Sequence, residues 1–120
     1  MAHHNELGAW GEDKAVRFLV QRGCKILARN YRSRYGEIDI IAEDGQEIAF
    51  VEVRLRSSTA HGRPEETVDY RKQRKLRLTA EYFLMKNPTG LQPRFDVIAL
   101  YAVNGEATVP LPVRYIKNAF

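Results

Sequence analysis

Two stretches of this chain set acids into alternating apolar runs: Glu37-Ile38-Asp39-Ile40-Ile41-Ala42-Glu43, and Gln46 through Phe50-Val51-Glu52-Val53-Arg54 to Leu55. Asp44-Gly45 stands between them, a strong short hairpin signal. A two-residue turn there pairs Glu43 with Gln46, Asp39 with Phe50 and Glu37 with Glu52. Opposed residues share a face and successive ones alternate. One face then carries Glu37, Asp39, Ile41, Ile48, Phe50, Glu52 and Arg54. The other, with Ile38, Ile40, Ala42, Ala49, Val51 and Val53, is a clean core face. Asp39 and Glu52 become diagonal neighbours, about 7–8 Å apart at the backbone. Acids gathered on a half-apolar face repel one another and raise at least one pKa unless a cation joins them. Hard oxygen ligands at this spacing suit Mg²⁺ or Mn²⁺ with waters and phosphate oxygens. Such an ion lowers the pKa of a bound water and stabilises charge on a transferring phosphoryl group. The plainer alternative is a solvent-facing edge whose acids pair with Arg32, Arg34 or Arg54.

The charges around this hairpin are segregated. Residues 17–34 hold six basic side chains and no acid, residues 35–53 hold six acids and no base, and residues 54–77 hold eight bases and three acids. An acidic block bracketed by basic ones fits a polyanion-binding surface around a carboxylate cluster, or solvated faces that segregate by chance. The net charge of +4 adds little by itself.

The elements that must position these residues follow from periodicity. Asn5 to Gln21 reads as a helix capped by Asn5, with Leu7, Gly11, Ala15, Phe18 and Leu19 on one face and Glu12 at its border. Gly8 and Gly11 weaken it by up to ~1 kcal/mol each, which suggests that backbone of another element passes close by. Lys25 to Tyr31 is a strand and Arg32 to Gly36 a turn. After the hairpin, Ser57 to Pro64 is a polar loop. Glu66 to Lys86 is a second helix with Leu76, Ala80, Phe83 and Leu84 as its stripe, ended by Asn87-Pro88-Thr89-Gly90. Arg94 to Val103 is a buried strand and Asn104-Gly105 a turn. The tail, with Pro110 and Pro112, is a short extended segment or edge strand. The order is α-β-β-β-α-β plus a tail: an α/β fold with a mixed central sheet flanked by helices.

At 120 residues, 44% hydrophobic and 28% charged, the chain reads as one globular domain, 1–120, and not a disordered one. Its longest apolar run, Val97 to Val103, is far short of the ~20 residues of a membrane helix. The acid-bearing N-terminus is unlike a secretory signal. The lone Cys24 excludes an internal disulfide framework and fits a reducing cytoplasm.

Gly36-Glu37-Ile38-Asp39-Ile40-Ile41, the hairpin and Phe50-Val51-Glu52-Val53-Arg54 resemble the YraN-type family of small bacterial proteins. That family looks like a branch of the PD-(D/E)xK nuclease superfamily, near the archaeal Holliday-junction resolvases. Gly8-Ala9-Trp10-Gly11-Glu12, Arg29-Asn30-Tyr31-Arg32, Lys72-Gln73-Arg74, Arg94-Phe95-Asp96-Val97 and Asn118-Ala119-Phe120 extend the resemblance over nearly the whole chain. It implies a restriction-endonuclease-like fold and Mg²⁺- or Mn²⁺-dependent phosphodiester hydrolysis. Asp39 and Glu52 would be the metal-binding acids, with Glu12 a third from the first helix. Glu37 is an auxiliary acid or merely fixes the strand end. Lys72 or Gln73 would border the site. The superfamily expects lysine where Arg54 stands. Arginine supplies charge and hydrogen bonds but is not deprotonated, so the exchange is not neutral. Either Arg54 does the electrostatic part alone, or Lys72 takes over, or catalysis is weak or lost.

The expected partner is nucleic acid, DNA above all, held through its phosphates by Arg29, Arg32, Arg34, Arg56, Lys72, Arg74 and Lys75. Tyr35, in a basic turn beside the acids, is the best candidate to stack on a base. Trp10, Tyr31, Tyr70 and Tyr82 are better read as packing or surface. Action on symmetric branched DNA would call for a homodimer. A non-catalytic nucleic-acid-binding module on the same fold is the second reading, and a protein-interaction adaptor the third. His3, His4 and His61 are poor candidates for metal ligands, Cys24 reads as a small buried hydrophobe, and Asp96 is as readily structural, paired with a basic neighbour, as functional.

Overall fold

The computed structural model describes residues 2–56, 68–101 and 113–120, with side chains described within 9–55, 68–100 and 113–120. The elements run α1 (Ala2–Gln21), β1 (Lys25–Ser33), β2 (Gly36–Asp44), β3 (Glu47–Arg56), α2 (Tyr70–Lys86), β4 (Gln92–Tyr101) and β5 (Val113–Ile116). The five strands form one sheet in the order β1-β2-β3-β4-β5. Neighbours are antiparallel except β3 and β4, which are parallel. A parallel pair needs a crossover, and α2 lies in it. The α-β-β-β-α-β order holds, and the tail is the edge strand β5. Among the described residues no helix is long and apolar enough to cross a membrane.

The sheet has a core on each face. On one, Leu76, Ala80 and Phe83 of α2 pack on Ile41, Ile48, Phe50, Phe95 and Val97. On the other, Ala15 and Leu19 of α1 pack on Ile40, Ala42, Ala49, Val51, Ile98 and Leu100. The acid-bearing face is thus not half-apolar and open. Its apolar part is a second core under α2, because the parallel crossover must cover that face.

The hairpin register differs from the expected one. The turn is Gly45-Gln46, so Asp44 pairs with Glu47 and Ile40 with Val51. Gly45 has φ +62°, which glycine adopts without strain. Asp44 stays in the strand, where its carboxylate is held by Arg94 at 2.8 Å. A two-residue shift by itself turns no side chain to the other face, but it moves Asp39 from diagonal to opposite Glu52. Alternation slips at one place: Ile38 joins the α2-side core with Ile41. Its partner Tyr31 follows Asn30, whose φ of 51° is left-handed. The left-handed Asn30 lies level with Asp39, whereas the register shift of the β1–β2 pair falls between Ile26 and Ala28.

Other expectations need correction. Helix α1 runs from Ala2, so Asn5 is not its cap; residues 2–4 contain no helix breaker. A Cβ on Gly11 would meet only Leu100 Cδ1 at 3.6 Å and Leu55 Cδ1 at 3.9 Å, ordinary contacts with side chains rather than passing backbone. Helix α2 starts at Tyr70, not Glu66, because Asp69 caps it by accepting the Lys72 N–H at 2.8 Å. The Ser57–Pro64 loop, His61, Asn104-Gly105, Pro110 and Pro112 lie outside the described residues, as do the side chains of His3, His4, Leu7 and Arg56.

Candidate metal centre and nucleic-acid interface

The β2–β3 ladder ends at Ile40 and Val51. One step further, Asp39 and Glu52 face each other. There the Val53 N–H donates to Asp39 Oδ2 at 2.8 Å, so a side chain serves as the acceptor where the strands part. Glu52 is 6% exposed. Its Oε2 lies 2.9 Å from Lys72 Nζ and 3.4 Å from an Arg54 guanidinium nitrogen. Burial, then the Glu52 charge, pushes the Asp39 carboxyl up to about 7, against the pull of the Val53 N–H; Glu12 adds a smaller push. The neighbouring Glu52 charge thus makes ionising Asp39 harder. They line a cleft of about 340 Å³ together with Gly36, Glu37, Lys72, Lys75 and Leu76.

The resemblance assigned the site six side chains, and the fold gathers four of them. Asp39, Glu52, Arg54 and Lys72 form one contact set. Lys72 comes from the first turn of α2, which Asp69 caps. Glu12 approaches from α1 but faces Arg29, 3.7 Å away. Gln73 turns from the cleft and donates to the Val68 carbonyl at 2.9 Å. Glu37 sits on the rim, paired with Arg32 at 3.0 Å. Among the described residues no three acids, histidines or cysteines converge on one point. The donor chemistry of the pair nonetheless suits Mg²⁺ or Mn²⁺, which bind through one or two carboxylates and keep several waters. Burial and the Glu52 charge raise the Asp39 pKa, and a cation bound between the two acids would lower it.

The basic residues divide into two groups. The β1–β2 turn is pinned to α2: Ser33 Oγ lies 3.2 Å from Thr79 Oγ1 and accepts the Tyr35 N–H at 3.0 Å. A Cβ on Gly36 would sit 3.5 Å from Lys75 Cβ and from Thr79 Oγ1. This places Arg32 beside the cleft through Glu37, with Arg34 and Tyr35 in the adjoining turn. Arg34 lies 5.0 Å over the Tyr35 ring and donates to its hydroxyl at 2.9 Å. Arg71 and Arg74 are exposed on the same end of α2. That end has no acid in its first turn, although its dipole disfavours cations by roughly 0.3–1 kcal/mol each. Arg29 is separate: it faces α1, with a guanidinium nitrogen 2.9 Å from Asp13 Oδ1. Arg56 is on β3, its side chain outside the described residues.

A structural pairing of Asp96 with a basic neighbour is one of the two expected readings, and at the far end of the hairpin it is part of a wider network. Arg94, 5% exposed, holds Asp96 at 3.1 Å, Glu47 at 2.7 Å and Asp44 at 2.8 Å. The Tyr115 hydroxyl donates to Asp96 at 2.6 Å and the Asn118 N–H at 2.9 Å, anchoring the tail. Asp96 is therefore structural. Arg94-Phe95-Asp96 had the signal, since residues two apart share a strand face. Cys24 is buried, and burial pushes its thiol pKa up. Tyr31 packs edge-on against Phe83 at 5.1 Å, while Tyr70 is exposed.

A family model described as "Uncharacterised protein family UPF0102" matches residues 11–100. A UPF0102 protein of Persephonella marina is 49% identical over 114 residues, covering 94% of this chain and 91% of its own. One from Rhodococcus opacus is 43% identical over 122 residues, all of both chains. One from Caldicellulosiruptor saccharolyticus is 47% identical over 116 residues, 96% of this chain and 97% of its own. With its motifs matched from α1 to β4, this chain belongs to the UPF0102 family, the one its motifs identified as YraN-type.

Proposed function

We propose that this chain is a metal-dependent nuclease of restriction-endonuclease-like fold, working in the cytoplasm on DNA held by its phosphate backbone. The observation that carries the reading is the meeting of Asp39 and Glu52 where β2 and β3 part, with Lys72 on Glu52 at 2.9 Å. Asp39 and Glu52 would hold Mg²⁺ or Mn²⁺, which when bound supplies an activated water and charge stabilisation. The remaining parts are this chain's own. Arg54 contributes charge where the superfamily has lysine, and Lys72 brings an ammonium to the same carboxylate from α2. Lysine is the member of that pair able to release a proton. Arg32, Arg34, Arg74 and Lys75 would seat the phosphates beside the cleft, and Tyr35 offers a flat face to a base.

One observation favours a second reading. Both cations lie on Glu52, so they already neutralise the carboxylate that would hold the metal. A chain in which they cannot leave would bind nucleic acid without cutting it. Cleavage of labelled linear, flapped and four-way DNA in Mg²⁺ or Mn²⁺, by the native chain, Lys72→Ala and Arg54→Lys, separates the two. Cutting by the native chain that Lys72→Ala abolishes supports the nuclease with lysine supplied by α2. No cutting by any of the three, with DNA still bound, supports the silent module.

A further inference from the structure

A row of α2 side chains runs on from the cleft. With Leu76, Ala80 and Phe83 turned to the sheet, helical spacing sets Lys75, Tyr82 and Lys86 in line along one flank. That flank follows the β1 edge: Gly36 meets Lys75, Ser33 meets Thr79 and Tyr31 meets Phe83. The turn residues Arg34 and Tyr35 therefore stand beside the same row. Each of its rings has a cation over it, Arg34 at 5.0 Å from Tyr35 and Lys86 at 5.0 Å from Tyr82. Arg34, Lys75 and Lys86 are exposed, and both rings are half-buried. Among the described residues no acid interrupts the row. Strand β1 has none, and the single acid of α2, Glu81, lines a groove on the other flank with Arg77 and Phe95. The Arg34 pKa is raised by its bond to Tyr35 and, to a smaller degree, by Tyr82, which ties the two ring–cation pairs together.

We propose that this row carries a single strand of nucleic acid away from the cleft, its phosphates on Lys75, Arg34 and Lys86 and its bases stacked on Tyr35 and Tyr82. The substrate class that follows is a duplex continued by an unpaired strand, not a blunt duplex. This rests on the nucleic-acid part of the proposed function and is independent of cutting. Rings interleaved with cations suit a single strand, because every base offers a face to stack and every nucleotide a phosphate. Bases inside a duplex are already stacked on their neighbours and offer no such face. An acidic protein segment would satisfy the cations but leave the rings without flat partners. From Lys75 to Lys86 the helix rises about 16 Å, room for a few nucleotides. Lys75 lines the cleft itself, so the row begins beside Asp39 and Glu52.

The test is fluorescence anisotropy in EDTA, where no metal-dependent cutting occurs. A labelled blunt duplex is compared with the same duplex carrying a 5′ or a 3′ tail of about six thymidines, and with tails of abasic nucleotides. The proteins are the native chain, Tyr82→Leu, Tyr82→Phe and Lys86→Gln, each checked for folding by circular dichroism. The native chain should bind a thymidine-tailed duplex about tenfold more tightly than the blunt one. Tyr82→Leu should lose about fivefold of that gain, the low end for one stacked base, and bind the blunt duplex as the native chain does. Tyr82→Phe should keep the gain. Lys86→Gln should flatten the salt dependence by about one contact on tailed DNA alone. Abasic tails should lose the Tyr82 effect and keep that of Lys86. Equal affinity for blunt and tailed duplexes would overturn the inference while leaving the cleft a DNA site, and would give the row to an acidic partner or to solvent. An equal loss from Tyr82→Leu on blunt and tailed DNA would overturn it as well. Absence of binding to every DNA would overturn the nucleic-acid reading itself, and the inference with it.

Discussion

Asp39→Asn should make the metal-free protein more stable at pH 8 and leave it nearly unchanged at pH 4. In the folded chain the Asp39 carboxyl titrates at about 7, against an ordinary 3.8. Between those values folded Asp39 keeps a proton that the unfolded chain has released. The folded state then binds more protons, so stability falls as pH rises through this window. Below about 4 both states are protonated and the penalty vanishes; above about 7 both are ionised and it is complete. Its ceiling is about 4 kcal/mol, and sharing of charge with Glu52 and its cations reduces it, so about 2 kcal/mol is expected. Asparagine keeps an acceptor for the Val53 N–H and carries no charge. Urea unfolding of both proteins with EDTA at pH 4, 6 and 8 measures this. Saturating Mn²⁺ at pH 8 should remove most of the difference by stabilising only the native chain. Parallel stability curves for the two proteins from pH 4 to 8 would refute the argument, because they would mean that Asp39 is ordinarily ionised.

Three further outcomes are expected. Arg94→Met should lower stability by about 3–5 kcal/mol in urea unfolding, because it strands the buried Asp96; a loss below about 1 kcal/mol would show that the network is not holding the tail. Gly11→Ala should raise stability by up to ~1 kcal/mol, since its Cβ meets only side chains at ordinary distance; a loss would reveal a tighter approach than 3.6 Å. Arg32→Ala with Arg34→Ala should weaken DNA binding and flatten its salt dependence by about two contacts, measured by anisotropy of a labelled duplex. An unchanged slope would move the interface elsewhere.

Much of this arrangement was legible in residue types. The alternation on either side of Asp44-Gly45 placed the acids on one hairpin face, and that face assignment survived the register change because the shift was by two residues. What the alternation could not convey was the second core. Ile41, Ile48 and Phe50 look like a mixed surface until α2 is laid across them, which the parallel β3–β4 pairing requires. Lys72 lies one helical turn before the buried Leu76, and that spacing turns it toward the sheet. Gln73 is its neighbour in sequence, but its side chain serves the helix start instead. The start itself was readable in Asp69, whose carboxylate caps Lys72, yet Glu66 and the apolar pattern drew the boundary too early. The Arg94 network joins four elements from three regions of the chain. Only the i, i+2 pairing with Asp96 was local enough to read, while Asp44, Glu47 and Tyr115 are brought there by tertiary structure.

The central claim is that Asp39 and Glu52 together hold a divalent cation for phosphodiester hydrolysis. Its most direct test is single-turnover cleavage of a labelled four-way or flapped DNA with Mn²⁺, comparing native protein with the Asp39→Asn, Glu52→Gln double variant. The account expects product from the native chain, none with EDTA, and none from the double variant, which should still bind the DNA. Equal cleavage by both proteins would contradict it.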